Sequence, residues 1–246
     1  MATLIESKIT AKPDAPAVIS RLQELANPEI AAHSQRYFKT GKGEYGEGDK
    51  FLGIRVPILR KQVNQFKTLS IPEIRKLLRS EYHEVRLLGL LIMVKQFANA
   101  PTEQQDKLYQ LYLRHTRFIN NWDLIDSSAP QIIGAWLMDK DRSILYALAK
   151  SNLVWERRIA IMATACFIDK DDFADTLKIA ALLLNDDHDL IHKAVGWMLR
   201  EIGKRNRQQE ERFLKKHYQN MPRTMLRYAI EKFDEEKRQQ YLKGLI

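Results

Sequence analysis

Apolar positions recur every three to four residues along most of this chain, and no run alternates apolar with polar in the period-two manner of a half-buried strand. The spacing predicts helices throughout and an all-α fold. Several starts carry capping chemistry. Asn27-Pro28-Glu29 offers a cap, a first-turn proline and an acid at the positive end of a helix. Ser70-Ile71-Pro72-Glu73 has the form of a capping box, Pro57 opens a further helix, and Pro101-Thr102-Glu103 marks another. Roughly a dozen helices with short connections account for the sequence.

The helices repeat. Glu84-Val85-Arg86-Leu87-Leu88-Gly89 matches Glu156-Arg157-Arg158-Ile159-Ala160-Ile161 in pattern, and both match Ile191-His192-Lys193-Ala194-Val195-Gly196 and Met225-Leu226-Arg227-Tyr228-Ala229. Each has a basic residue followed by apolar and small residues that let two helices approach closely. Arg158 and Lys193 are 35 positions apart, Lys193 and Arg227 are 34, and Arg86 and Arg158 are 72, about two periods. A helix-pair repeat of that length indicates an α-solenoid, here one domain over 1–246 with one helix of each pair lining a concave basic groove. The repeat between Arg86 and Arg158 carries Asp126 where the others carry a cation. That leaves one acid on an otherwise basic track.

Residues 39–50 interrupt the pattern and hold four of the ten glycines. Gly41-Lys42-Gly43-Glu44-Tyr45-Gly46 spells a dinucleotide fingerprint, yet a helical stretch precedes it where the fingerprint needs a strand. The segment reads as a flexible surface loop inserted between N-terminal helices.

Charge narrows the choice of partner. Forty Lys and Arg against thirty-one Asp and Glu leave +9, with a pI near 9.5. That excess favours a polyanion, nucleic acid before an anionic membrane, over a merely basic surface. The one cysteine, Cys166, lies in an apolar run and reads as a small core residue of a cytosolic protein. Met1 to Lys8 lacks the apolar run of a secretory signal, and Leu87–Val94 is too short for a bilayer span, so the expectation is a soluble cytoplasmic protein with no membrane attachment.

Candidate chemistry is sparse. His188 and His192 stand at i and i+4 but follow Asn185-Asp186-Asp187, a helix start, so capping explains them and no metal is expected. The remaining constellation is Trp122-Asp123-Leu124-Ile125-Asp126-Ser127-Ser128-Ala129-Pro130. Two readings stand. Either Asp126, Ser127 or Ser128 caps a helix beginning near Pro130, with Trp122 in the core, or the tryptophan and the acids meet a cation. Trp136 and Trp155 read as core. Trp197, between Lys193 and Arg200 on one helix face, fits either packing or nucleic acid.

Phe51-Leu52-Gly53-Ile54 with Pro57, Trp122-Asp123-x-x-Asp126, Trp155-x-x-Arg158 and Lys193-Ala194-x-Gly196-Trp197-x-x-Arg200-Glu201, in that order, resemble the AlkD-type alkylpurine DNA glycosylases. The likeness extends from about Tyr37 to the last helices. The resemblance implies HEAT-like repeats and excision of N3- and N7-alkylated purines from duplex DNA without metal or organic cofactor; separately, a solenoid with its own capping helices is expected to be a monomer. The resemblance further implies that Asp126 is the catalytic carboxylate, Trp122 and Trp197 flank the lesion's sugar, and Arg158 supports the site. Tyr37 matches an aromatic near the DNA and Arg200 a backbone contact; Arg157, Lys193 and Arg227 complete the expected DNA-binding set. Two features depart from the pattern: Asn121 stands before Trp122 where the family example has a second tryptophan, and the Gly-rich loop is longer. Related HEAT-like proteins bind DNA without excising bases, which leaves recognition of distorted or branched DNA as the alternative. A solenoid that binds only proteins is the third class.

Overall fold

In the computed structural model, residues 13–246 are described; the expectation about a signal at Met1 to Lys8 falls outside them. The described residues are helical, with no strand beyond one isolated bridge between Lys50 and Tyr82. No helix among them is long and apolar enough to cross a membrane. The chain divides into two compact units, Met1–Gln96 and Phe97–Ile246.

The first unit contains α1 (Ala15–Glu24), α2 (Pro28–Tyr37), α3 (Val56–Phe66), α4 (Ile71–Leu78) and α5 (His83–Phe97), the last ending at the boundary. Leu22, Leu59, Ile74, Leu77 and Leu88 fill its core. Asn27 caps α2 as expected, its side chain accepting from the Ile30 N–H. The box at Ser70 does not form. Ser70 makes no side-chain cap, and Glu73 instead accepts from the Ala15 N–H at the start of α1 and pairs with Lys76. Glu73 thus ties two helices together, where a capping box would have closed one.

Phe51-Leu52-Gly53-Ile54 is an extended segment held by one buried carboxylate. Glu84 accepts from the N–H groups of Leu52 (2.9 Å), Gly53 (2.8 Å) and Ile54 (3.2 Å). Gly53 sits at φ +80°, and a Cβ there would lie 2.1 Å from the Asn27 carbonyl oxygen. The segment passes too close to α2 for any side chain. The Gly-rich stretch before it follows α2, so no βαβ unit exists. Its turns are closed by backbone bonds and by Glu44 and Glu47, which accept from the Gly41 and Gly43 N–H groups. Asp49 at its end is buried and bonded to Arg86 (2.6 Å) and His83 (3.1 Å).

The second unit is a stack of helix pairs. It runs α6 (Thr102–Leu113), α7 (Trp122–Asp126), α8 (Ser143–Ala149), α9 (Val154–Ala163), α10 (Ala165–Ile168), α11 (Ala174–Leu182), α12 (Asp189–Arg205), α13 (Arg207–His217), α14 (Arg223–Ala229) and α15 (Glu235–Lys243). Within it α7 packs on α9, α9 on α12 and α12 on α14, so the second helices of successive pairs form a row. Gly196 makes the α12–α14 contact possible: a Cβ there would stand 2.4 Å from the Met225 carbonyl oxygen.

The expectation that the repeated Arg and Lys positions all present cations on an otherwise basic face, with Asp126 as its one acid, is corrected. Arg86 and Arg158 are both buried, at 4% exposure each. Arg86 turns to Asp49 and Arg158 to Asp126, carboxylates 37 and 32 residues earlier in the chain. A guanidinium aimed between packed helices needs an anion there, and the preceding segment supplies it. Lys193 and Arg227 do reach the surface.

Candidate active site

Asp126 owes its position to a broken helix. Buried Asn121 caps α7, its side-chain oxygen accepting from the Trp122 N–H at 2.9 Å, so the residue that departs from the family pattern starts the helix that presents Trp122 and Asp126. After five residues the helix breaks. Ser127 donates to the Asp123 carbonyl (2.7 Å) and Ser128 to the Leu124 carbonyl (2.5 Å). Pro130 has no N–H to offer the Asp126 carbonyl one turn back, and residues Pro130–Gly134 continue as a π-helix. Buried Tyr112 meets the Ser128 hydroxyl at 3.0 Å from beneath. The capping alternative therefore does not hold. Both serines bond backwards, Asp126 ends a helix, and Trp122 is half-buried rather than in the core.

Arg158, in the middle of α9, grips Asp126 with two parallel bonds, Nε to Oδ1 at 2.9 Å and one terminal nitrogen to Oδ2 at 2.7 Å. Its other terminal nitrogen donates to the Leu190 carbonyl at 2.6 Å, in the first turn of α12. One side chain thus joins α7, α9 and α12. Burial pushes the Asp126 carboxyl above its ordinary range; Arg158 pulls it back and nearby Asp123 raises it further, for a net upward shift. Deleting either member of a buried, doubly bonded pair strands a charge and typically costs about 3–5 kcal/mol.

Asp126 opens into a cleft of about 500 Å³. Pro130 and Gln131 continue its first wall, Met162, Ala165, Ile168 and Asp169 form the second, and Trp197, Met198, Glu201, Lys204 and Arg205 of α12 the third. Aliphatic carbons flank a carboxylate and an indole, with cations at the α12 end. Asp126, Arg158 and Trp197 are thereby brought into one site. Trp122 stands one turn from Asp126 on α7 but is not in the cleft wall.

The expected DNA-binding residues separate by geometry. Arg227 is exposed on α14, and Lys193 is partly exposed while pairing with Asp189 at 2.6 Å. Tyr37, in the first unit, is 59% exposed and stacks on His33. Arg157 is spent within the protein, bonded to Asp186 and to the Ser151 and Asn152 carbonyls. Arg200 pairs with Glu231. His188 caps α12 by accepting from the Leu190 N–H, and His192 contacts the Asp186 carbonyl. Among the described residues no group of three or more His, Cys, Asp or Glu could hold a metal.

Two residues expected in the core are only half-buried. Trp136 lies between the Tyr109 ring and the Lys140 ammonium, and Cys166 sits where Gly134 lets two helices meet. Trp155 is buried as expected. Glu201, Lys204, Asp169 and Arg205 are cleft residues that the sequence pattern does not assign. The signal available for the first two is their spacing from Trp197, one and two turns along α12.

A family model described as DNA alkylation repair enzyme matches residues 18–233. No curated protein matches the chain. Among solved structures, a predicted DNA alkylation repair enzyme from Enterococcus faecalis shares the fold, with a TM-score of 0.67 and 18% identity over 85% of this chain and 97% of that one.

Proposed function

The chain belongs to the DNA alkylation repair enzyme family, and we propose that it hydrolyses the N-glycosidic bond of N3- and N7-alkylated purines in duplex DNA. The observation that carries this reading is Asp126, a carboxylate fixed at both oxygens by buried Arg158 and lining the same cleft as Trp197. Alkylation at N3 or N7 places a positive charge on the purine. When the bond to C1′ breaks, its electron pair leaves with the base, which departs neutral and needs no general acid. The sugar gains oxocarbenium character, and water adds to C1′ and releases a proton. Asp126 stabilises that charge and orients the water. Trp197, in the same cleft wall, offers a π face to that cation, worth about 0.5–2 kcal/mol.

Arg158 holds Asp126 in place and matches its buried charge. Lys193, Arg227 and Tyr37 keep surface available for the duplex, whereas Arg157 and Arg200 act by fixing the helices that carry the site. A substrate that arrives activated requires no cofactor, and one chain supplies every group used. The reading places the protein in the cytoplasm with the cell's DNA.

The test is release of free 7-methylguanine and 3-methyladenine from duplex DNA by the wild type and by Asp126→Asn. Release by the wild type, lost in the variant with DNA binding retained, is expected. Because ionised Asp126 does the work and its carboxyl is shifted upward, the rate also falls on acidification through a midpoint above the usual aspartate range. Equal release by both proteins sinks the assignment. A second reading, DNA binding without base release, draws on the same ion pair, since a carboxylate doubly bonded to Arg158 can be purely structural. It predicts salt-sensitive binding and no free base from either protein.

A further inference from the structure

The cleft contains a second carboxylate whose oxygens are already engaged. Glu201 Oε1 accepts from the Trp197 indole Nε1–H at 2.9 Å, and both its oxygens take the Lys204 ammonium, at 2.7 and 2.9 Å. The Arg200 Nε stands 3.8 Å away. Trp197, Glu201 and Lys204 follow one another along one face of α12, all in the cleft wall. The Trp197 indole has one donor and a loosely defined ring torsion, so its orientation depends on the acceptor that takes that N–H.

We propose that Glu201 is a positioning residue that locks the Trp197 indole, so that its π face is presented at a fixed angle to the sugar of the damaged nucleotide. Lys204 holds the carboxylate that does the locking. This rests on the glycosylase reading for its consequence, though not for its geometry. Attraction between a cation and an aromatic ring acts through the ring face and fades when the edge is presented instead. An indole free to turn about its bond to Cβ spends much of its time misdirected. One fixed at its N–H is set before the substrate arrives, at no further ordering cost.

Three variants and three measurements separate the possibilities. Single-turnover release of 7-methylguanine from a duplex carrying one such base is compared for wild type, Glu201→Ala and Glu201→Gln, with DNA affinity measured alongside. Loss of the acceptor in Glu201→Ala is expected to slow release about tenfold with affinity within about twofold, the order of the contribution that one well-aimed aromatic face makes to a cation. Glutamine keeps an oxygen for the indole N–H, so Glu201→Gln is expected to recover most of the rate. Independently of activity, the Trp197 emission is isolated by subtracting the spectrum of Trp197→Phe. It is expected to become more accessible to acrylamide, a neutral quencher that does not respond to the lost charge, in Glu201→Ala but not in Glu201→Gln. Unchanged release and unchanged quenching in Glu201→Ala overturn the proposal, as does a glutamine variant no better than alanine in both. If the wild type itself releases no base, the glycosylase reading fails, and the quenching comparison alone decides whether Glu201 fixes the ring.

Discussion

At the scale of single residues, the chain places carboxylates in surroundings that set them quite different tasks. Glu84 accepts three backbone N–H groups, Asp126 is gripped by a guanidinium at two short bonds, and Glu210 takes one long bond from Arg207. Glu210 is 1% exposed, with Arg207 at 3.4 Å its nearest cation, and burial pushes its carboxyl up to about 8. The folded protein therefore keeps a proton that the unfolded chain gives up near the ordinary glutamate value. The contribution to stability is full below about pH 4.5 and falls by at most ~1.4 kcal/mol per pH unit as pH rises towards 8. Glu210→Gln removes that slope. Urea unfolding at pH 5 and pH 8 should show the variant gaining on wild type by a few kcal/mol across the interval, and equal changes in both proteins would refute it. Residue identity alone reveals some of this. Asp126 is legible because it breaks a basic repeat, whereas the fate of Arg158 is not, since periodicity places a side chain on a helix without saying whether it ends in solvent or between helices. Glu201 is overlooked for a related reason: it is one acid in a charged helix until the Trp197 N–H is seen against it.

At the scale of helices, ion pairs recur at about the length of one repeat. Arg86 reaches Asp49, Arg142 reaches Asp172 and Asp175, Arg157 reaches Asp186, and Arg205 reaches Asp171, with separations between 29 and 37 residues. Each joins a segment to the next in line, so charge as well as apolar surface holds successive pairs together. The helices, the period and the small residues at contacts are visible in the sequence because they follow local spacing. The π-helix after Asp126 is not, because it depends on two serines bonding backwards just ahead of a proline. Gly196 gives a direct test of close approach. Alanine would gain up to ~1 kcal/mol in helix propensity, but its Cβ meets backbone on α14, which cannot move aside as a side-chain tip can. We expect Gly196→Ala to destabilise by about 1–3 kcal/mol, read as a lower urea midpoint at unchanged m-value. An unchanged or higher midpoint would show that α12 and α14 separate at little cost.

For the whole molecule, +9 net charge sets how association should respond to salt. If about five phosphates are neutralised, the logarithm of DNA affinity falls against that of salt with a slope near −4.5. Removing Lys193 or Arg227 should each reduce that slope by about one. A slope near zero would leave DNA out of the account. Arg158 has a consequence of another kind. It reaches Asp126 on α7 and the Leu190 carbonyl on α12 from the helix between them. Repeat arrays lengthen over evolutionary time by copying a unit into the series, and most positions in such a series are interchangeable. These are not. A copy inserted between α7 and α12 would part the carboxylate from the arginine, or the arginine from its second anchor, while a copy added beyond α14 would leave all three in register. The number of units is thereby set by the Arg158 contacts between α7 and α12, while those contacts place no such constraint beyond α14.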